Sequence, residues 1–256
     1  MQIDFKNKIV AFIDVLGFKN LLDKGEVSKL KRYIEFVAEE INVSYDGYNI
    51  DYLLISDTIV IYTDYDERHF ANIIRTVSML QARLLTYKIL LRGSITSGKL
   101  YTQKSKNIIV GQGLINAYLL EQKAIFPRVI IDREFLKHPD YKKILFKISN
   151  EKWINSSEYT TSLSGFIYVN YLLTLVTFRQ FYLNNRLNEV YILLKENIYS
   201  NIHFEKYNWL RTEFDKALSL RIKILEKKIT EPQGEKKRQK KDQRLLFEIL
   251  DQLKSL

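Results

Sequence analysis

Along residues 8–16, K-I-V-A-F-I-D-V-L, apolar and β-prone residues follow one another almost without interruption, the pattern of a strand covered on both faces. One carboxylate, Asp14, stands near its end, and Gly17 breaks the run. Over 27–43 the period changes: Leu30, Ile34, Val37, Ala38 and Ile41 recur at helical spacing and predict an amphipathic helix packed on that strand. Two short runs, 50–55 and 58–62, are parted by Ser56-Asp57. A tight hairpin and a short β connection both fit, and either sets Asp57 at a strand end. A second amphipathic helix is predicted over 67–86, then a strand over 89–97 that Gly98 ends. A partner strand over 108–110, a helix over 114–122 and a strand over 128–131 follow.

The leading order βαββαβ predicts an α+β fold with a palm-like, ferredoxin-like sheet backed by helices on one face. Nucleotide polymerases and cyclases use such sheets and so do many non-enzymes, so function has to be argued from a site. Beyond about residue 150 the pattern turns helical, and 168–200 and 201–230 each read as a long helix. Residues 232–234 interrupt, and the basic segment E-K-K-R-Q-K-K-D-Q-R at 235–244 leads into a last amphipathic helix ending near Leu253. The expected organisation is a core over 1–150 and a mainly helical C-terminal extension over 151–256. No repeat of 20–50 residues is visible.

Composition narrows the chemistry. At 256 residues and 46% hydrophobic, the chain can bury a sizeable core. It has no cysteine, which removes disulfides, thiolate nucleophiles and Cys-ligated zinc together. Its three histidines, His69, His138 and His203, match no metal-ligand spacing. Forty Lys plus Arg against thirty Asp plus Glu gives +10. Lys236, Lys237, Arg238, Lys240 and Lys241 concentrate some of that charge, but no nucleic-acid-binding motif accompanies them, and such runs are usually solvated. Tyr and Phe are dispersed rather than interleaved with basic residues, so no base-stacking platform is indicated. No window approaches 18 consecutive apolar residues and the N-terminus lacks the pattern of a signal peptide. The expectation is a soluble, cytoplasmic protein with neither membrane nor nucleic acid as partner.

The most informative constellation is Asp14 and Asp57, two carboxylates at two strand ends. An isolated Asp more often caps a strand or turn. Both of these lie inside apolar runs, where an unpaired carboxylate is costly and usually has a partner or a metal. Phosphoryl chemistry on a nucleoside triphosphate uses such carboxylates to hold one or two Mg²⁺ or Mn²⁺. Val15 to Phe18 would then turn from strand into helix and expose backbone N–H groups to phosphates, with Gly17 allowing close approach.

These segments resemble a family. F-I-D-V-L-G-F at 12–18 is similar to the metal-binding opening of class III nucleotidyl cyclases, I-S-D-T at 55–58 to their second metal aspartate, and L-R-G-S-I-T-S-G at 91–98 to their strand ending in glycine. V-G-Q-G-L-I-N-A-Y-L-L-E at 110–121 resembles the segment in which a helix starts after a glycine. Within that helix Ala117, Tyr118, Leu120 and Glu121, then Pro127-Arg128 and K-Y-x-W-L at 206–210, resemble the pyrimidine cyclases of the Pycsar anti-phage systems.

The resemblance implies that Asp14 and Asp57 bind two divalent ions, Mg²⁺ or Mn²⁺, with the Val15 carbonyl as auxiliary ligand and the backbone of Leu16, Gly17 and Phe18 on the triphosphate. It implies attack of the ribose 3′-hydroxyl on the α-phosphate with loss of pyrophosphate, and a homodimer with composite sites. It also implies a cyclic nucleotide read by a separate effector. Leu53 stands where purine cyclases carry a base-reading lysine, which points to UTP or CTP. The Asn and Arg that adenylyl and guanylyl cyclases carry on the helix after the glycine are replaced by Ile115 and Leu119. Asn116, one residue off, is turned by about 100°. Charge on the triphosphate has to come from elsewhere: Arg128 is the first candidate, Arg92 the second, and Lys123 also lies near. Tyr118 can stack on the base, brace the dimer or belong to the core. A nucleotide-binding sensor without turnover, and a palm-type synthase of cyclic oligonucleotides, remain as alternatives.

Overall fold

The computed structural model describes residues 3–42, 50–146, 160–163, 165–183, 185–200, 202–230 and 236–256. Strand β1 (Lys6–Leu16) lies inside the sheet, antiparallel to β3 (Thr58–Asp64) on one side and β4 (Leu90–Gln103) on the other. Strand β2 (Asp51–Ile55) meets β3 through the two-residue turn Ser56-Asp57, with Ser56 in the left-handed region at φ 56°. Of the two connections open to the sequence, the hairpin is the one formed. Short β5 (Ile108–Val110) pairs with the far end of β4, and β6 (Val129–Ile131) runs parallel to β4. A second hairpin, β7 (Thr160–Leu163) and β8 (Phe166–Val169), completes the order β2-β3-β1-β4-β6-β8-β7. The first four strands have the expected ferredoxin-like order.

Two long helices cover one face. Helices α2 (Val27–Asn42) and α3 (Glu67–Leu85) bury Phe36, Val37, Phe70, Ile73, Val77 and Leu80 against Ile9, Ala11, Ile13, Ile59, Ile61 and Ile95. These sheet residues alternate along their strands, as the pleat requires. Helix α3 starts at Asp66, whose side chain accepts from the N–H groups of Arg68 and His69. On the opposite face α4 (Gln112–Glu121) covers a smaller cluster of Val10, Val60, Tyr62 and Leu100 with Ala117. It approaches β4 backbone to backbone: a Cβ on Gly98 would stand 2.7 Å from the Gly113 Cα. Gly98 therefore does not end its strand, as its position had suggested. The strand runs on to Gln103, and the glycine is where the helix touches it.

The region 168–200 differs from the single long helix expected. Strand β8 occupies 166–169, and Asn170 then caps α6 (Tyr171–Thr177), its side chain accepting from the Leu173 N–H. Helices α7 (Arg179–Leu183) and α8 (Arg186–Asn197) follow, the latter entered through Asn185 in the left-handed region. Apolar residues run unbroken through the strand and into the helix, so only Asn170 marks the boundary. Helices α9 (Phe204–Thr230) and α10 (Lys236–Lys254) pack together. With α6 and α8 they form a second core of Leu175, Val190, Leu194, Leu210, Phe214, Leu218, Leu246 and Leu250, continuous with Met79 and Leu85 of α3 and with Ile130 and Tyr168 of the sheet. Two short helices, α1 (Phe18–Asp23) and α5 (Pro139–Phe146), complete the α-helices among the described residues.

The basic run lies inside α10, with Lys236, Lys237, Arg238, Lys240 and Lys241 exposed, while Asp242 is buried against Arg179 at 3.0 Å. Residues 150–151, 232–234 and Glu235 lie outside the described residues. Among the described residues no helix is long and apolar enough to cross a membrane.

Candidate active site

Asp14 lies opposite Thr58 on β3 and Arg92 on β4. Its carboxylate is half-buried, with Oδ2 3.5 Å from Arg92 Nη2. Arg92 in turn donates from Nε to Glu121 Oε1 at 2.5 Å, and Glu121, the last residue of α4, is buried. A carboxylate taken out of water needs a cation. Here one guanidinium serves two carboxylates, linking β1, β4 and α4.

Asp57 arrives through the hairpin turn. Its carbonyl accepts the Val15 N–H at 3.0 Å, which ties the turn to the end of β1 beside Asp14. Tyr33 of α2 supports the turn: its hydroxyl donates to the Ser56 carbonyl at 3.3 Å and its ring meets Phe18 edge-on at 5.9 Å. Sequence-distant Asp14 and Asp57 are thus held at neighbouring strand ends by backbone pairing, the Val15 bond and an aromatic prop.

The electrostatics reflect that crowding. The Asp14 carboxyl is pushed up to about 6, chiefly by burial; Arg92 opposes this, and the Asp57 and Glu121 charges add to it. Burial, with help from the charges of Asp57 and Asp14, also pushes the Tyr33 hydroxyl up, so it stays a proton donor. Asp14, Asp57 and Glu121 together carry more negative charge than Arg92 neutralises. No group of three or more His, Cys, Asp or Glu that could hold a metal occurs among the described residues. Two carboxylates with excess negative charge nonetheless fit a hard divalent cation of the kind that completes its shell with water and phosphate oxygens rather than a full protein cage.

The other candidates are distributed more widely. Val15 and Phe18 are buried in the core under α2 and α3, leaving their backbone as the part facing the turn. Leu16 is half-buried opposite Leu90. Gly17 has φ 76° and caps α1, its carbonyl accepting from Asn20 and Leu21. Leu53, on β2 opposite Val60, packs on the small cluster under α4. Tyr118 is 48% exposed and meets Phe12 edge-on at 5.6 Å. Ile115 and Leu119, exposed at 51% and 52%, extend that apolar surface along α4, while the Asn116 side chain is engaged by Gln112. Lys123 is exposed on the turn after α4.

Arg128 is not brought to the carboxylates. Its guanidinium lies 5.2–6.0 Å from the ring centres of Phe126, Phe166, Tyr168 and Trp209, and Nε and Nη1 have no hydrogen-bond partner among the described residues. Burial pushes it down, and the groups that oppose this are Tyr168 and Glu213. The structure therefore groups Asp14, Asp57 and Arg92, and sets Arg128 under the C-terminal helices. Two residues of the cluster went unassigned from sequence. Glu121 entered only as a letter of a motif, although an acidic residue closing an apolar helix is itself a signal for a buried ion pair. Tyr33 carried no signal, since an aromatic on a helix face reads as core.

No protein-family model matches the chain, and no curated protein matches it. Solved structures do align with it. The adenylyl cyclase CyaB from P. aeruginosa aligns at 15% identity and TM-score 0.46, over 66% of this chain and 95% of that one. The monomeric guanylyl cyclase domain of the RhoGC fusion protein from the aquatic fungus Blastocladiella emersonii aligns at 13% and 0.48, over 66% and 96%. A bacterial light-regulated adenylyl cyclase aligns at 15% and 0.45, over 67% of this chain and 54% of that one. With every one of these TM-scores below 0.5, the functional reading rests on the chain's own residues.

Proposed function

We propose that this protein is a metal-dependent nucleotidyl cyclase of the class III type, converting UTP or CTP to the 3′,5′-cyclic mononucleotide and pyrophosphate. The observation that carries the reading is the meeting of Asp14 and Asp57 at neighbouring strand ends with one arginine between Asp14 and Glu121. Asp14 and Asp57, with the Val15 carbonyl, would hold Mg²⁺ or Mn²⁺. When bound, the ions neutralise the triphosphate and favour the alkoxide of the attacking hydroxyl.

The chain's own residues do the rest. The carboxylates fix the place where phosphate charge is received, and the turn at Leu16, Gly17 and Phe18 offers backbone N–H groups beside it. Arg92 replaces Arg128 as the cation nearest the chemistry. Its Nε is committed to Glu121, which holds the plane of the guanidinium and leaves Nη2 facing Asp14 and the phosphates. Arg128 joins the site's strand only through its backbone, its carbonyl accepting the Gly93 N–H at 3.1 Å, and its side chain has no part in the reaction.

In this reading Leu53 leaves the base pocket without a lysine for a purine. The exposed Ile115, Tyr118 and Leu119 form the apolar face on which a second copy completes the site. The catalytic core over 1–150 is completed by the 160–169 hairpin, and 151–256 otherwise forms the extension. The product would serve as a signal to a separate effector in anti-phage defence. Incubating the protein with each of the four NTPs in Mn²⁺ and reading product mass tests the assignment. Cyclic UMP or CMP is expected. Cyclic AMP or GMP would overturn the base assignment, and linked oligomers the reaction.

A sensor without turnover is the second reading. It is favoured by Ile115 and Leu119, neither of which can bind ribose or stabilise transition-state charge.

A further inference from the structure

A cavity of about 410 Å³ opens between α1, the start of β4 and the junction of α8 with α9; it shares the backbone of Leu16 and Gly17 with the reading above, which uses none of its charged side chains. One wall is α1, with Asn20, and Lys24 at its C-terminal cap. The other wall comes from α8 and the first turn of α9, with Lys206 and His203. Asp14, Asp57 and Arg92 do not line it.

Its charge is one-sided. Lys24, Lys29, Lys88 and Lys206 face it against only Glu26 and Glu196, so four ammonium groups and two carboxylates leave an excess of two positive charges. Both carboxylates are already taken. Glu26 pairs with Lys29, and Glu196 with Lys88 at 3.1 Å. Lys24 and Lys206 have no carboxylate partner among the described residues.

Cavities of this size hold small molecules, but those for apolar ligands are lined mainly by hydrocarbon. Nine of the sixteen residues that line this one carry charged, amide or imidazole side chains, against five aliphatic ones. A concave surface of one sign concentrates the opposite charge, and lysines hold phosphate as mobile point charges without a fixed fork. The occupant that fits is compact, carries at least two negative charges and accepts many hydrogen bonds.

We propose that this cavity is a polyphosphate site, distinct from the paired aspartates, in which Lys24 and Lys206 hold inorganic pyrophosphate, inorganic triphosphate or the phosphate chain of a nucleotide. Leu16 and Gly17 line the same cavity and follow Asp14 by two and three residues, so an anion there rests against the backbone that continues β1. The binding itself does not depend on the cyclase reading.

The test is calorimetric titration of the full chain with pyrophosphate, tripolyphosphate and UTP, separately, in EDTA at constant ionic strength. Removing divalent metal suppresses binding at the aspartates. Saturable one-to-one binding is expected. It should weaken about tenfold or more in Lys24→Gln/Lys206→Gln, remain near the original in Lys24→Arg, and change less than about twofold in Asp57→Asn. Lys24→Gln alone, on an exposed side chain, should weaken it in a chain whose circular dichroism is unchanged. Lysine-dependent UTP binding at least as tight as that of tripolyphosphate upholds the site with a nucleotide-borne chain, and weaker UTP binding upholds it with an inorganic one. Absence of saturable binding, binding indifferent to both lysines, or binding lost in Asp57→Asn would overturn the proposal.

Discussion

Arg92 and Arg128 stand one residue before Gly93 and Val129, which pair across the parallel strands β4 and β6. Their surroundings are opposite. Arg92 lies under α4 at the edge of solvent, with Glu121 at 2.5 Å and Asp14 at 3.5 Å. Arg128 is 3% exposed, ringed by four aromatic side chains, with two nitrogen atoms lacking acceptors among the described residues. The difference follows from what covers the sheet. Beyond β6 the C-terminal helices close over the face with Trp209, which stacks on Phe126 at 5.5 Å. Before it, α4 leaves the strand ends open. Charge on the open side stays within reach of a ligand, and charge on the closed side is absorbed by packing.

The largest expected effect on stability comes from Arg92→Met. It strands Glu121 in a buried position, which costs about 3 kcal/mol, and removes the cation beside Asp14. Activity should fall about a hundredfold and the unfolding midpoint should drop. An unaltered kcat/KM would remove Arg92 from the chemistry.

Gly98→Ala comes next. Its Cβ would stand 2.7 Å from the Gly113 Cα, so α4 must move, at about 1–3 kcal/mol by denaturant titration. An unchanged midpoint would mean that the close approach does not hold α4.

Asp14→Asn should act in the other direction. Because the folded carboxyl is raised from its ordinary value of 3.8 to about 6, the native state binds more protons between those values, and stability falls as pH rises through that window. The variant lacks this loss and should be about 1–2 kcal/mol more stable than the parent at pH 8, the full shift being reduced by solvent screening, while losing activity. A destabilised Asp14→Asn would make Asp14 a structural partner of Arg92.

The smallest effect belongs to Arg128→Met, where lost cation–π contacts of about 0.5–2 kcal/mol are set against relief of unpaired buried donors worth about 1–3. Stability within about 1 kcal/mol and activity within a few fold are expected. A collapse of kcat at unchanged stability would restore Arg128 to the site and dissolve the contrast with Arg92.

Much of the sheet was legible because its strands are punctuated. Gly17, Ser56-Asp57 and the change of period at 27 and 67 mark where elements begin and end. Gly98 was misread because a glycine in a strand looks the same whether the chain turns or another backbone approaches, and only the presence of Gly113 decides which. The second hairpin was lost because F-I-Y-V at 166–169 passes through Asn170 alone into Y-L-L-T-L-V. In the site, Asp14 and Asp57 stood out as carboxylates in apolar runs. The pairing of Arg92 with Glu121 did not, since it forms across 29 residues and two elements. The rings around Arg128 come from positions 126, 166, 168 and 209, and no local pattern in the chain brings them together.

The most direct test of the central claim is turnover of UTP and CTP with Mn²⁺ or Mg²⁺, by the parent protein and by Asp57→Ala, with thermal unfolding of both recorded alongside. The account predicts a metal-dependent cyclic mononucleotide from the parent and a loss of about a thousandfold or more in a variant that still folds. Equal turnover by Asp57→Ala, or turnover indifferent to divalent metal, would contradict it.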